Sequence, residues 1–212
     1  MKLFLNEQKM TGTRLVVAFF GVLCGLTGII AGVFELLQGN IKPDGFVIST
    51  IGPEYSMAGD FTYYAITIIP NLLITGILAV ITSVLVIIWS IRYVDRKNGA
   101  LILFGLSVAQ MLVGGGWVID LGTIASVLAT RIGKPIDWLQ KNIPEELFMT
   151  FSRIFSASVA AYSLISVAML VITIFGINNE ELIKMLEPLA AVMFIPILTM
   201  IVGGLVRDIE EK

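Results

Sequence analysis

Five long apolar runs limit what this chain can fold into more than any other feature of its sequence. They cover residues 15–37, 66–91, 100–130, 154–176 and 189–206. A helix needs about 20 apolar residues to cross a bilayer core, and four of the five runs have an ordinary spanning length. We therefore predict an all-α polytopic membrane bundle and treat residues 1–212 as a single integral membrane domain.

The composition agrees with a membrane protein and argues against several classes of function. Hydrophobic residues make up 57% of the chain and charged residues only 14%, which is unlike a soluble domain. A net charge of −2 gives no sign of nucleic-acid binding. The chain has no histidine and one cysteine, Cys24, so it lacks the usual metal ligands and acid–base groups. Because no catalytic fingerprint occurs either, we predict no enzymatic activity, no cofactor and no metal.

The third apolar run is too long for one simple crossing. As a single helix its 31 residues would measure about 46 Å, against a hydrocarbon core of about 30 Å. Three glycines in "MLVGGGWVID" (Gly114, Gly115 and Gly116) divide the run into halves of about 21 Å each. Glycine permits tight turns, and Asp120 would begin the second half, where the helix dipole favours a negative charge. We predict six helical segments, with a short helical hairpin at 100–130.

The distribution of lysine and arginine favours the hairpin over a single crossing. Cytoplasmic loops of membrane proteins carry an excess of these residues. With the N-terminus inside, a single crossing at 100–130 leaves seven of the 14 basic residues on each side. A hairpin places twelve inside and only Lys42 and Lys184 outside. We therefore predict cytoplasmic N- and C-termini. A single crossing is the alternative, and it would bury Asp120 in the bilayer.

Small residues in the first and fourth helices predict close packing of helices. The first helix carries four glycines on one face: Gly21, Gly25, Gly28 and Gly32. Glycines four residues apart let helix backbones approach closely in lipid. Gly122 and Ser126 repeat this spacing in the fourth helix, so the two faces are candidates to meet. The glycine face serves packing within the bundle, against a second copy, or against another membrane protein, and the sequence leaves these alternatives open.

Four polar side chains in or beside the apolar runs are candidates for a ligand site or a transport path: Glu35, Asn71, Gln110 and Asp120. Polar and ionisable groups inside a membrane are costly and are often functional. Ordinary structural roles compete with that interpretation, namely an interfacial carboxylate, a helix cap or a helix-end charge. Side chains converging on one cavity would indicate a transporter or channel. Scattered side chains would favour a structural or accessory protein that acts through helix packing.

Several short strings resemble a family of small bacterial multi-spanning membrane proteins whose activity is uncharacterised. The strings are "FELLQGN", "IGP", "TIIPNLLITGILA", "RKNGALIL", "LVGGGW" and "ATRI", and they cover roughly residues 30–132. The resemblance implies a helix–turn–helix at 114–117 and a location in the plasma membrane of a bacterium. In the family a proline-containing turn follows the glycines, whereas this chain has Val118, Ile119 and Asp120 there. The resemblance supplies no reaction, ligand or partner.

The predicted hairpin can be tested by finding which side of the membrane residue 141 faces. A Lys141→Cys variant in a Cys24→Ala background carries a single thiol. We expect a membrane-impermeant thiol reagent to label it in inverted vesicles and not in intact cells, because the hairpin returns the chain to the cytoplasm. Labelling in intact cells would instead require one crossing at 100–130.

Overall fold

The computed structural model describes residues 11–50, 64–116, 119–134, 141, 144–175, 181 and 184–210. Its six helices are α1 (Gly12–Gln38), α2 (Leu72–Ile88), α3 (Gly99–Leu112), α4 (Ile119–Ala129), α5 (Glu145–Phe175) and α6 (Leu186–Glu210). Two short strands, β1 (Val47–Ser49) and β2 (Tyr64–Ile66), form an antiparallel pair in which Ile48 lies opposite Ala65. The predicted all-α bundle of six helical segments is confirmed.

Among the described residues, four stretches of helix are long and apolar enough to cross a membrane, as expected for an integral membrane protein. They are Gly12–Gln38, Leu72–Tyr93, Met149–Met169 and Pro188–Ile209. The second of these includes a π-helical turn, Trp89–Tyr93, that continues α2 without a break. Helices α3 and α4 are apolar but shorter than the other four.

Helix α1 is the centre of the bundle, and it packs against α2, α4 and α6. At its first turn, which we call the Arg14 end, Arg14 forms an ion pair with Asp95 and donates to the carbonyl of Ile91 at 2.8 Å. Its last turn, which we call the Glu35 end, lies beside the two strands. There the side-chain amide of Gln38 donates to the carbonyl of Thr50 at 2.6 Å. Both ends of α1 are therefore fixed by polar contacts.

Helix α2 begins several residues after the first residue of its apolar run, at the proline and asparagine that indicate a helix start in the sequence. The run starts at residue 66, but β2 occupies Tyr64–Ile66 and Asn71 caps the helix by accepting from the backbone N–H of Ile74 at 3.1 Å. Proline before a cap cannot donate a backbone hydrogen bond, and Asn is among the strongest helix caps. The Asn71 cap thus sets where α2 begins, although residues 66 to 69 are all isoleucine or threonine.

The predicted hairpin at 100–130 is confirmed. Helix α3 starts beside α2 at the Arg14 end, where the indole N–H of Trp89 donates to the carbonyl of Gly99 at 2.9 Å. It ends at Leu112, next to the segment that joins β2 to α2. The Ile68 N–H donates to the carbonyl of Leu112, and the Gly114 N–H donates to the carbonyl of Ile66, the last residue of β2. The chain then turns and α4 packs back against α3. Trp117 lies outside the described residues.

The glycine face of α1 packs mainly against α2, with no room for a methyl group. A Cβ atom at Gly21 would overlap Ser90, and one at Gly25 would overlap Ile87 and the backbone of Ser83. A Cβ atom at Gly32 would lie 2.8 Å from the backbone oxygen of Gly76, and one at Gly28 would overlap Ser83 and Gln110 of α3.

The small residues of α4 pack elsewhere than on the glycine face. Gly122 lies against Ser107 of α3 and Cys24 of α1, and the buried Ser126 hydroxyl donates to the carbonyl of Gly122 at 2.6 Å. The glycine face and the α4 face are therefore not each other's nearest partners. Helix α1 instead meets α2 and α4 on adjacent sides.

Replacing Gly28 tests the close approach at the glycine face, and Gly105 of α3 provides a matched control with open space around it. Overpacking a core costs typically 1–3 kcal/mol, and 1 kcal/mol shifts the melting temperature of a chain of this size by about 2–4 °C, so we expect Gly28→Leu to lower it in mild detergent by about 2–12 °C. Gly105→Leu should leave it nearly unchanged. Equal melting temperatures for both variants would contradict the packing described, as would an unchanged Gly25→Leu plus Gly28→Leu double variant.

Candidate functional site

The carboxyl group of Glu35 is buried where α1 meets the turn of the hairpin. Its side chain is 0% exposed, and neither carboxylate oxygen has a hydrogen-bond partner in the described part of the chain. A Cβ atom on Gly114 would overlap both oxygens and the methyl group of Thr75. Gly114 has φ +90°, a backbone conformation that favours glycine. Only a glycine fits here, so the turn and Glu35 depend on each other.

Two threonines form a small polar cluster beside Glu35. The hydroxyl oxygens of Thr67 and Thr75 lie 2.9 Å apart, and the Thr75 hydroxyl also donates to the carbonyl of Ile69 at 3.3 Å. Thr67 is 2% exposed and lines an open cleft of about 200 Å³ together with Lys42, Asp44 and Pro70. Thr67 borders the cleft, Thr75 contacts Thr67, and both Thr75 and Glu35 lie against Gly114. The side chains of Thr67 and Thr75 therefore separate the cleft from the carboxyl group of Glu35.

Gln110 has a structural partner in α1. Its side-chain amide donates to the backbone carbonyl of Cys24 at 2.8 Å, and its amide oxygen accepts a weak bond from the Cys24 thiol at 3.6 Å. Gly115 packs directly on Gln110 as well. Hydrogen bonds from polar side chains hold helices together in lipid, so Gln110 ties α3 and the hairpin turn to the middle of α1.

Asp120 occupies the first turn of α4, as the hairpin predicts, and its carboxylate accepts from the Leu121 N–H at 2.9 Å. However, Asp120 lies deeper in the bundle than a helix end at the membrane surface would. Gly122, two residues later, packs on Cys24, which is the thirteenth of the 27 residues in α1. Asp120, two residues before this contact, therefore lies near half height in the bundle.

The four predicted candidates lie at four separate places. Asn71 is the cap of α2, where its amide also donates to the side chain of Asn40. Glu35 is buried at the hairpin turn, Gln110 is bonded to Cys24, and Asp120 is exposed on α4. The fold brings Glu35 together with Gly114, and Gln110 together with Gly115 and Gly28. It does not gather the four side chains around one cavity.

Thr67 and Thr75 are the neighbours of Glu35 that the sequence does not single out. Their hydroxyls lie within an apolar stretch, and hydroxyls in membrane helices usually bond to their own backbone. The bridge between Thr67 and Val113 and the contact of Thr75 with Gly114 place these threonines at the hairpin turn, and the sequence shows neither. Within the described residues, no group of three histidine, cysteine, aspartate or glutamate side chains forms a metal site.

No protein-family model, curated protein or solved structure matches this chain.

Replacing Gly114 tests the contact with Glu35, and Gly39 is a matched control. Both glycines have positive φ, but a Cβ atom at Gly39 meets nothing within 4 Å. Alanine at such a backbone costs about 1 kcal/mol, and overpacking adds typically 1–3 kcal/mol. We expect Gly114→Ala to lower the melting temperature by about two to four times as much as Gly39→Ala. Equal losses would mean that Glu35 is not held against the turn.

Proposed function

We propose that this chain is a structural or accessory component of a bacterial plasma membrane, with both termini in the cytoplasm and no enzymatic activity. The observation that carries this proposal is the separation of its membrane-embedded polar groups. Gln110 is used to join helices, and Asn71 caps one of them. A transport path would need such groups to line a continuous route. Here they act mainly to hold a compact set of four helices, α1 to α4, in register.

The glycine face supports a role within the bundle and not at an outer surface. Gly21, Gly25, Gly28 and Gly32 already face α2 and Gln110, so a second copy has no access to them. Any partner protein must therefore bind elsewhere on the perimeter. Helices α1 and α2 offer exposed apolar side chains there, among them Leu26, Ile30, Ile77 and Ile81.

A small-solute transporter or channel is the second candidate, and Glu35 is the observation that favours it. A buried carboxyl group without a partner costs free energy in a membrane, and such residues commonly mark ion or substrate pathways. Glu35 lies beside the glycine turn between α3 and α4. Transporters bind substrates and ions at such interruptions of helical backbone inside the membrane. The nearby cleft at Lys42, Asp44 and Thr67 would then be its entrance.

Purification of the full chain from its own host distinguishes the two candidates. We expect the chain, tagged and expressed at its native level, to elute in mild detergent as a complex larger than its own 23.1 kDa. A second membrane protein should be present at a fixed ratio. Elution of the chain alone, together with cation flux into vesicles that Glu35→Gln abolishes, would replace the accessory role with transport.

A further inference from the structure

A second cleft lies at the Arg14 end of the bundle, between the turn that joins α2 to α3 and the end of α4. We call it the Arg96 cleft, and its volume is about 330 Å³. Arg96 and Asn98 line it on the side of the turn, and Thr130 and Lys134 line it on the side of α4. Its walls therefore combine two basic side chains with an amide and a hydroxyl group.

The Arg96 cleft lies at the level where the apolar helices of this end stop. The spanning stretch of α2 ends at Tyr93, and α4 ends at Ala129. The ring centroids of Trp89 and Tyr93 lie 5.4 Å apart just before the turn, and such aromatic side chains collect at the interface between membrane and water. The cleft is therefore placed at the depth of the lipid headgroups.

Positive charge dominates in and around the Arg96 cleft. The carboxylate of Asp95, which also lines the cleft, is paired with Arg14. Four exposed basic residues lie in the cleft or next to its lining residues in sequence: Arg96, Lys97, Arg131 and Lys134. Within the described segments none of these four forms an ion pair. A cleft lined by charge of one sign attracts a ligand of the opposite sign, so its ligand is an anion.

Two hydrogen-bonded turns hold the walls of the cleft. In the first, the Gly99 N–H donates to the carbonyl of Arg96 at 2.8 Å, and a Cβ atom at Gly99 would overlap the backbone of the preceding turn. In the second, Gly133 has φ +69° and the Lys134 N–H donates to the carbonyl of Arg131 at 2.9 Å. The backbones that carry the two lining basic residues are therefore fixed before a ligand binds, which reduces the cost of binding.

Apolar side chains continue from the cleft towards the middle of the bundle. Phe104 follows the cleft-lining residue Ala100 by four positions in α3, and Val127 precedes Thr130 by three at the end of α4. Residues three or four apart share one face of a helix, and Phe104 and Val127 are 40% and 61% exposed. An anionic head joined to hydrocarbon chains fits this arrangement, whereas a free anion would use only the charges.

We propose that the Arg96 cleft binds the headgroup phosphate of an anionic phospholipid, whose acyl chains lie along Phe104 and Val127. Basic pockets between membrane helices bind such headgroups, and an arginine can donate two parallel hydrogen bonds to one phosphate. A soluble phosphate offers the same oxygen atoms but no chains, so the apolar face favours the lipid as the source. This site goes beyond the accessory role and does not depend on it.

Lipid binding by the purified full-length chain tests the site. The chain in mild detergent is titrated with phosphatidylglycerol or with phosphatidylcholine, and bound lipid is counted by native mass spectrometry. One basic residue at an anionic membrane surface strengthens binding about fivefold. We therefore expect phosphatidylglycerol to bind about 10- to 30-fold more tightly than phosphatidylcholine, which has no net charge. Equal affinities for the two lipids would overturn the proposal.

A pair of double variants locates the effect at the cleft. Arg96→Gln plus Lys134→Gln should lower the affinity for phosphatidylglycerol to that for phosphatidylcholine. Lys42→Gln plus Lys184→Gln, which removes two exposed lysines at the opposite end, should retain the preference. All four side chains are exposed, so both variants should keep the melting temperature of the unmodified chain in lipid-free detergent. A preference that survives in the first variant, or is lost equally in both, would refute a site at the cleft.

Competition with a soluble phosphate separates the two sources of the ligand. We expect a large molar excess of glycerol phosphate to leave the bound phosphatidylglycerol in place, because it lacks the chains that contact Phe104 and Val127. Displacement of the lipid would assign the cleft to a soluble phosphate compound and overturn the lipid proposal. Neither result bears on the accessory role, which purification of the complex tests.

Discussion

The close approach of α1 and α2 is the contact on which the rest of the structure depends. Glycines at four successive turns bring the two helices together with no space for a methyl group at any of them. The α3–α4 hairpin then packs beside this pair: Gln110 reaches the backbone of Cys24, and Gly114 reaches Glu35. Without a hydrophobic effect to drive association between helices in lipid, such backbone proximity and internal hydrogen bonds are what hold a bundle together.

Polar groups at different heights in this bundle face different energetic demands. At the Arg14 end, Arg14 and Asp95 pair with each other, and Asp208 accepts from the backbone N–H of Thr13 at 3.0 Å. At half height, Gln110 is bonded, while Asp120 is exposed and pairs with no cation of the described residues. At the Glu35 end, a carboxyl group is buried against a glycine turn and has no partner in the described segments. The last two groups cost stability in the isolated chain, so they are the residues for which a function must account.

The two unpaired carboxyl groups lead to different functional expectations because their surroundings differ. Glu35 is fully buried, so a second protein has no access to it, and it belongs to the transport alternative. Asp120 is exposed in the first turn of α4, so its surroundings differ from those of Glu35. The transport alternative rests on Glu35 and the cleft near Thr67, whereas the accessory role rests on the separation of the polar groups.

The sequence by itself determined the helical architecture, because apolar length and glycine position act locally. The runs at 15–37 and 189–206 lie within α1 and α6, and the three glycines of the third run mark the turn of the hairpin. Only the tertiary structure decided which surfaces meet. Glycine spacing predicts that a face packs closely but not that its partner is α2, and a charge in the first turn of α4 does not reveal its depth. Depth depends on where α4 packs along α1 and α3, which is set by the contacts of Gly122 with Ser107 and Cys24.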